Sequence, residues 1–394
     1  MLSPLARALP AMTALQATVA LGVFALSVLA PQLDLSVLQL AWLNTLLFGV
    51  GALGALLAGR LLRRLGAWQV AALCAASVAA GMVCLLLGGP LAPWLAVLLF
   101  GIAFGPETPA SAAALTRITP PGRRPWVFSI RQTGNQIGAM AGSVLLPLLL
   151  ATNPRLPYLV VAVLASAMTA WCLRLARDAR LASVAASGPA IAAAATPHEA
   201  PLRLLGSRPL QALALATLCY TAAQMCLNTF LMSLAVREWR LDVVQAAGWV
   251  ACLQGAGLAG RLFWGWRAQR TVSAARLLGA LGLLIAGAGI TLMAWPSARS
   301  GVGMALLVVM LGFCASGWNG VLVAEVARIA GAARAGALTG TVLVFGYAGL
   351  TVAPLAFASV SSASSMVTAF IGIFAAAGLA GAVLLLTPPA ASAG

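Results

Sequence analysis

GVGALGALLAGRLLRR, Gly49 to Arg64, returns two hundred residues later as GAGLAGRLFWGWRAQR, Gly255 to Arg270. Displaced by 206 positions, Gly49, Gly51, Gly54 and Gly59 fall on Gly255, Gly257, Gly260 and Gly265, and Arg64 falls on Arg270. Glycine inside a water-soluble helix costs about 1 kcal/mol relative to alanine. Inside a bilayer the same residue lets two helix backbones approach closely, so a patterned run of it marks a packing seam. The repeat therefore reads as two copies of one membrane unit.

Composition agrees. Of 394 residues, 62% are hydrophobic and 8% are charged, against about 25% charged in a soluble domain. A soluble core could not bury that much apolar surface, so lipid must be the solvent for most of the chain. All twenty-three basic residues are arginine, and the seven acids leave a net charge of +16. A P-loop needs a lysine to reach the phosphates, which excludes a Walker A site. Uphill movement of a solute must then draw on an ion gradient, an exchange partner or a separate subunit. The seven cysteines lie scattered through apolar stretches without Cys-x-x-Cys spacing, so neither a metal nor structural disulfides are expected. The single histidine, His198, sits in a polar linker. No cofactor is implied.

Twelve hydrophobic stretches are long enough to cross a core of about 30 Å. Their approximate bounds are 10–30, 37–59, 69–88, 94–115, 128–151, 157–175, 210–235, 244–265, 276–294, 303–326, 335–357 and 366–386. With the N-terminus in the cytoplasm and strict alternation, only Arg155, Arg237, Arg240 and Arg299 fall outside. The positive-inside rule thus puts both termini in the cytoplasm and explains the +16 as a topology signal, with no nucleic-acid patch. The expected organisation is a six-helix bundle over 1–177, an Ala/Ser/Pro-rich cytoplasmic linker over 178–207, mobile or amphipathic, and a second six-helix bundle over 208–394.

The repeat continues through the chain. Thr13 and Gln16 match Thr221 and Gln224, Gly101 and Arg117 match Gly312 and Arg328, and Gly142 and Pro147 match Gly349 and Pro354. Both copies begin on the same side, so they are parallel repeats of an all-α integral membrane fold. With its 6+6 helices, long central loop and glycine-rich signature after the second span, the chain resembles the major facilitator superfamily. The signature usually reads G-x-L-a-D-R-x-G-R-K, and here it is Gly59 to Trp68, with Arg63 in place of the aspartate and Ala67-Trp68 in place of the closing basic pair. The stretches at 129–147 and 260–266 look like a bacterial branch that includes cyanate-type and nitroimidazole-type porters. The resemblance implies two halves that alternate access to a central site, with the first helix of each triplet lining it.

Polar placement also points to a pathway. Spans 3, 6, 9 and 12 hold no Asn or acid, whereas Asn, Gln, Glu and intramembrane Arg concentrate elsewhere, and such groups must face protein or a water-filled cavity. Span 4 carries Gly105-Pro106-Glu107-Thr108-Pro109, and the aligned stretch of span 10 is Ser316-Gly317-Trp318-Asn319-Gly320. Prolines and glycines there should loosen both helices, at corresponding places in the two repeats. Glu107 is an acid in mid-membrane, costing about 2.5–3.5 kcal/mol on insertion scales. Helical rise puts Arg131 within about 5 Å of its depth. Arg131, Gln132, Asn135 and Gln136 form one polar arc, beside a seam of Gly134, Gly138 and Gly142. Arg131 either binds an anionic or polar substrate in competition with Glu107 or ties two helices together. Thr221, Gln224 and Asn228 share one helix face, echoed by Thr13 and Gln16, and suit substrate hydrogen bonding or interhelical glue. Arg261 and Glu325 belong to the second half alone, since Ala55 and Ala114 stand at the matching positions. The resemblance implies an inner gate there, with Glu325 meeting Arg261, Arg267 or Arg270, and with Arg64 as the first-half counterpart of Arg270.

The expected function is secondary active transport of a small organic, anionic or polar solute across a bacterial inner membrane, driven by protons carried on Glu107. The chain is expected to act as a monomer whose partners are its substrate, the bilayer and protons. A facilitator or exchanger, a drug-type efflux pump and a transporter-like receptor stay open. An enzyme is not expected.

Overall fold

A single residue, Gly66, turns the chain between its second and third helices. It sits at φ +83°, left-handed backbone that costs glycine nothing and any other residue about 1–2 kcal/mol. The computed structural model describes residues 4–31, 33–120, 124–185, 206–270, 273–295 and 301–388. They form twelve helices: α1 Pro4–Leu29, α2 Val37–Leu65, α3 Ala67–Leu87, α4 Ala92–Ile118, α5 Arg124–Thr152, α6 Leu156–Ala185, α7 Arg208–Arg237, α8 Val243–Gln269, α9 Ala274–Ala294, α10 Gly301–Ala315, α11 Trp318–Ala363 and α12 Met366–Leu386. Twelve segments are long and apolar enough to cross a membrane. A helix satisfies its own backbone, which is why lipid selects it. Where helices end, local side chains take over. Asp242 accepts from the amides of Val244 and Gln245 at 2.9 Å to start α8, and Ser365 accepts from Thr368 at 3.1 Å to start α12.

The helices fall into two compact units. One comprises Met1–Val23, Leu46–Ala139 and Leu149–Glu199; the other comprises Phe24–Thr45, Met140–Leu148 and Ala200–Gly394. In the first, α3 packs on α4 and α6. In the second, α9 packs on α12, α11 on α7, and α10 on α8. Segments of α1, α2 and α5 thus group with the C-terminal helices. α6 runs on to Ala185, taking in the first eight residues of the expected linker. Residues 186–205 of that linker, His198 among them, lie outside the described residues.

Glycine makes the repeat visible in three dimensions. A Cβ on Gly101 of α4 would lie 2.6 Å from the Leu47 carbonyl of α2. A Cβ on Gly312 of α10 would strike the carbonyl of Leu253 in α8, the residue that the 206-position shift pairs with Leu47. Gly105 lies in the same way against Gly51, Gly260 against Phe313, and Gly134 and Gly138 of α5 against Thr13 and Ala17 of α1. Each crossing brings two backbones together where any larger residue would hold them apart.

Of the two helices expected to loosen, one does. α4 continues through Pro106 and Pro109 without interruption. The Pro106 ring finds room over Gly54, where even an added Cβ would sit 3.3 Å from its Cδ. The helix of the second repeat breaks at Ser316-Gly317, between α10 and α11. The Phe313 carbonyl, which Gly317 would use in a regular helix, instead accepts from the Trp264 indole at 3.1 Å. The Gly317 amide turns to Cys314 O at 3.2 Å. A side chain inserted into the ladder, next to a glycine, accounts for the break. Beyond it the chain stays helical to Ala363, so the expected loop between spans 10 and 11 is helix.

Candidate functional site

Glu107 and Arg131 meet inside the first unit, and their side chains are 4% and 2% exposed. Arg131 Nη2 donates to both oxygens of Glu107, with the Oε1 contact at 2.5 Å, and lies 3.2 Å from Thr108 Oγ1. Glu107 also accepts from Ser111 Oγ at 2.9 Å and from Thr108 Oγ1 at 3.2 Å. Helical periodicity explains the cage: Ser111 follows Glu107 by four residues and shares its face. A buried pair needs such extra hydrogen bonds, because desolvating two charges costs several kcal/mol per ion. Two buried atoms nearby in the sequence pattern remain unpartnered. They are Arg131 Nε, a donor, and Gln16 Oε1, an acceptor. Gln16 of α1 donates through Nε2 to Gln132 of α5 at 3.2 Å. Asn135 donates to its neighbour Gln136 at 2.9 Å. The polar arc of α5 is therefore split: Arg131 and Gln136 are buried, Asn135 is half-buried and Gln132 is exposed.

The second unit carries a neutral set. Gln224 Nε2 lies 3.4 Å from Ser316 Oγ, at the break between α10 and α11. Asn228 Oδ1 accepts from Gln254 of α8 at 2.8 Å. Thr221 Oγ1 and Trp318 Nε1 are buried without a partner. The Trp318 ring stands edge-on to Tyr220, 6.0 Å between centroids, and Tyr220 donates to Leu278 O at 2.8 Å. Asn319 is half-buried in the first turn of α11. Gln254 and Ser316 are the residues that sequence reasoning passed over here. Their signal was an amide in mid-helix and a hydroxyl at a break.

The residues expected to gate each sit in their own local surroundings. The Glu325 carboxylate, 1% exposed, is held by Arg328, with Nη2 to Oε1 at 2.7 Å and Nε to Oε2 at 3.0 Å. That pairing replaces the expected one with Arg261, Arg267 or Arg270. It follows from the continuous helix, which sets residues three apart on one face. The hydrogen bond to Glu325 raises the Arg328 pKa; burial opposes this and the carboxylate charge adds to it. Arg270 lies over the Trp266 ring at 4.6 Å. Arg64 is exposed in the last turn of α2. Arg261 is half-buried in α8, and its Nε is buried without a partner.

A family model for the Major Facilitator Superfamily matches residues 10–354. The chain belongs to the Major Facilitator Superfamily. Among solved structures, it is similar to a bacterial homologue of the human lysosomal transporter Spinster in an inward-facing, unoccupied conformation. That match has 17% identity over 98% of this chain and 97% of the other, with a TM-score of 0.73. It is also similar to the peptide transporter POT in complex with sulfate, at 16% identity over 96% of this chain and 94% of the other, with a TM-score of 0.73. At those identities the likeness concerns the fold. No curated protein matches. The protein is thus a multi-pass membrane protein of a transporter family.

Proposed function

We propose that this chain is a secondary active transporter which moves a small organic, anionic or polar solute across the bacterial inner membrane by alternating access, coupled to protons. Its termini face the cytoplasm, as the arginine distribution requires, and it works as a monomer. The observation that carries the reading is the Glu107–Arg131 pair, buried in the membrane-spanning part of α4 and α5. An intramembrane ion pair is expensive to keep and is functional by default. Arginine cannot release its proton, so Glu107 is the carrier. A proton on Glu107 removes the counter-charge and frees the Arg131 fork for a substrate. Unpartnered Gln16 Oε1, Thr221 Oγ1 and Trp318 Nε1 are hydrogen-bonding positions for that substrate, together with Gln132, Asn135, Gln224, Asn228 and Asn319. The Glu325–Arg328 pair is the inner-gate element of the second repeat, and Arg64, Arg261 and Arg270 are the further arginines assigned to gating.

The same pair, braced by Thr108 and Ser111, would also serve a facilitator or exchanger as a fixed tie between α4 and α5. Two steps separate these readings. A thermal-shift panel of anionic, neutral and cationic metabolites finds a binder, since a ligand at a hundred times its Kd stabilises the folded state by about 2.7 kcal/mol. Uptake of that binder into proteoliposomes under a proton gradient is then compared with counterflow. Glu107→Gln should abolish uphill accumulation and keep exchange. Undiminished accumulation in that variant would remove Glu107 from coupling and leave the exchanger.

A further inference from the structure

The charge balance of the membrane-spanning region is uneven. Arg131 has its carboxylate. Arg261 does not, although it lies inside the span Val243–Ala268. The chain has seven acids. Glu107 is taken by Arg131, and Glu325 by Arg328. Glu238 accepts from the Met366 amide at 3.0 Å, and Asp242 caps α8. Asp34 lies 3.8 Å from Arg237, and Asp178 is exposed near the end of α6. Glu199 lies outside the described residues. Among the described residues, no carboxylate pairs with Arg261, and its Nε is buried with no hydrogen-bond partner.

The position is not accidental within α8. Arg261 follows Gln254 by seven residues, so the two lie within about 20° on one helix face and about 10.5 Å apart along the axis. That face reaches α7 through the Gln254–Asn228 hydrogen bond at 2.8 Å. Arg261 therefore extends the neutral amide face of the second unit with a fixed positive charge. The first repeat has Ala55 at the matching position, so packing of the repeated fold does not demand a cation there. A guanidinium inside the span, half-buried and with its Nε unpartnered, is matched by an anion whose two oxygens can accept from its fork.

We propose that Arg261 is an anion ligand for the substrate and that the substrate carries a carboxylate. The inference rests on the transport reading. It assigns the standing charge of the site to Arg261, because Arg131 is neutralised by its ion pair with Glu107. Anion binding then depends on Arg261.

The test uses the full chain in detergent, with sodium acetate, benzoate and succinate as probes against matched sodium chloride. At least one probe should raise the wild-type melting temperature. Arg261→Met should weaken that probe's apparent Kd tenfold or more, and Arg261→Lys should retain part of the affinity, because charge survives while the fork is lost. Without probe, Arg261→Met should melt no lower than wild type, since it removes a charge that has no partner in the protein. The proposal is overturned by an unchanged anion response in Arg261→Met. It also falls if no probe acts on wild type, or if Arg261→Met and Glu199→Gln destabilise the protein equally, which would mark a structural pair. The transport reading fails separately, if a probe binds and depends on Arg261 but no variant or wild type carries it into proteoliposomes.

Discussion

At the scale of single residues, the energetics of the Glu107–Arg131 pair turn on desolvation. Removing one partner of a buried pair leaves an uncompensated charge and costs about 3–5 kcal/mol, whereas removing both costs far less. Glu107→Ala and Arg131→Ala should therefore each lower the melting temperature sharply, and the double variant should melt no lower than the worse single. Additive losses would mean that the two side chains are stabilised by their hydroxyl and amide neighbours and not by one another. The sequence allowed this pair to be read, because both depths can be counted from flanking inner arginines. It did not allow the Glu325–Arg328 pair to be read. Arg328 stood two residues past the expected end of a helix, and spacing predicts partners only inside a helix. Gln254 was legible as an intramembrane amide, but its partner depends on how α8 crosses α7.

At the scale of elements, close helix approach is set by which hydrogen atom stands in for a side chain. An added Cβ on Gly105 would collide with the Gly51 carbonyl and lie 2.8 Å from the Ala55 amide, both backbone atoms of α2. Gly265, also in a helix, has nothing within 4 Å of that position. Gly105→Ala should therefore destabilise by about 1–3 kcal/mol through overpacking, and Gly265→Ala should be neutral or stabilise by up to about 1 kcal/mol through helix propensity. Relative melting temperatures of the two variants decide it, and equal effects would remove the packing argument. All twelve spans were legible from hydrophobic length, because in lipid an apolar run has no alternative to a helix. The prolines of α4 and the glycines of the second repeat read alike as loosening their helices, yet only the second breaks. The difference follows from Trp264, a residue on another helix that takes a carbonyl out of the ladder. No local signal in 301–326 carries that information.

At the scale of the whole molecule, the repeat predicts two six-helix bundles joined by the central linker, and one of the two compact units takes in segments from the N-terminal half of the sequence. Phe24–Thr45 and Met140–Leu148 group with the C-terminal helices, and the first of these segments is held by apolar packing and by a few polar contacts. Arg237 Nη2 donates to Leu35 O at 2.8 Å and lies 3.8 Å from Asp34. Thr45 Oγ1 donates to Thr351 O at 2.8 Å. Leu40 lies wholly buried in the same apolar cluster as Phe230 and Phe357. On the transport reading proposed above, such contacts between segments far apart in sequence are made and released in each cycle, so they should be modest in energy. The exposed Asp34 carboxylate contributes little, and the bond from a charged group to Leu35 O contributes about 1.5–3 kcal/mol. Arg237→Ala should therefore release this segment without unfolding the protein. In a background free of native cysteines, a cysteine at Leu40 should react with a soluble maleimide several-fold faster in the Arg237→Ala variant, while the melting temperature changes by only a few degrees. Unchanged labelling would show that the apolar contacts around Leu40 alone keep the segment closed.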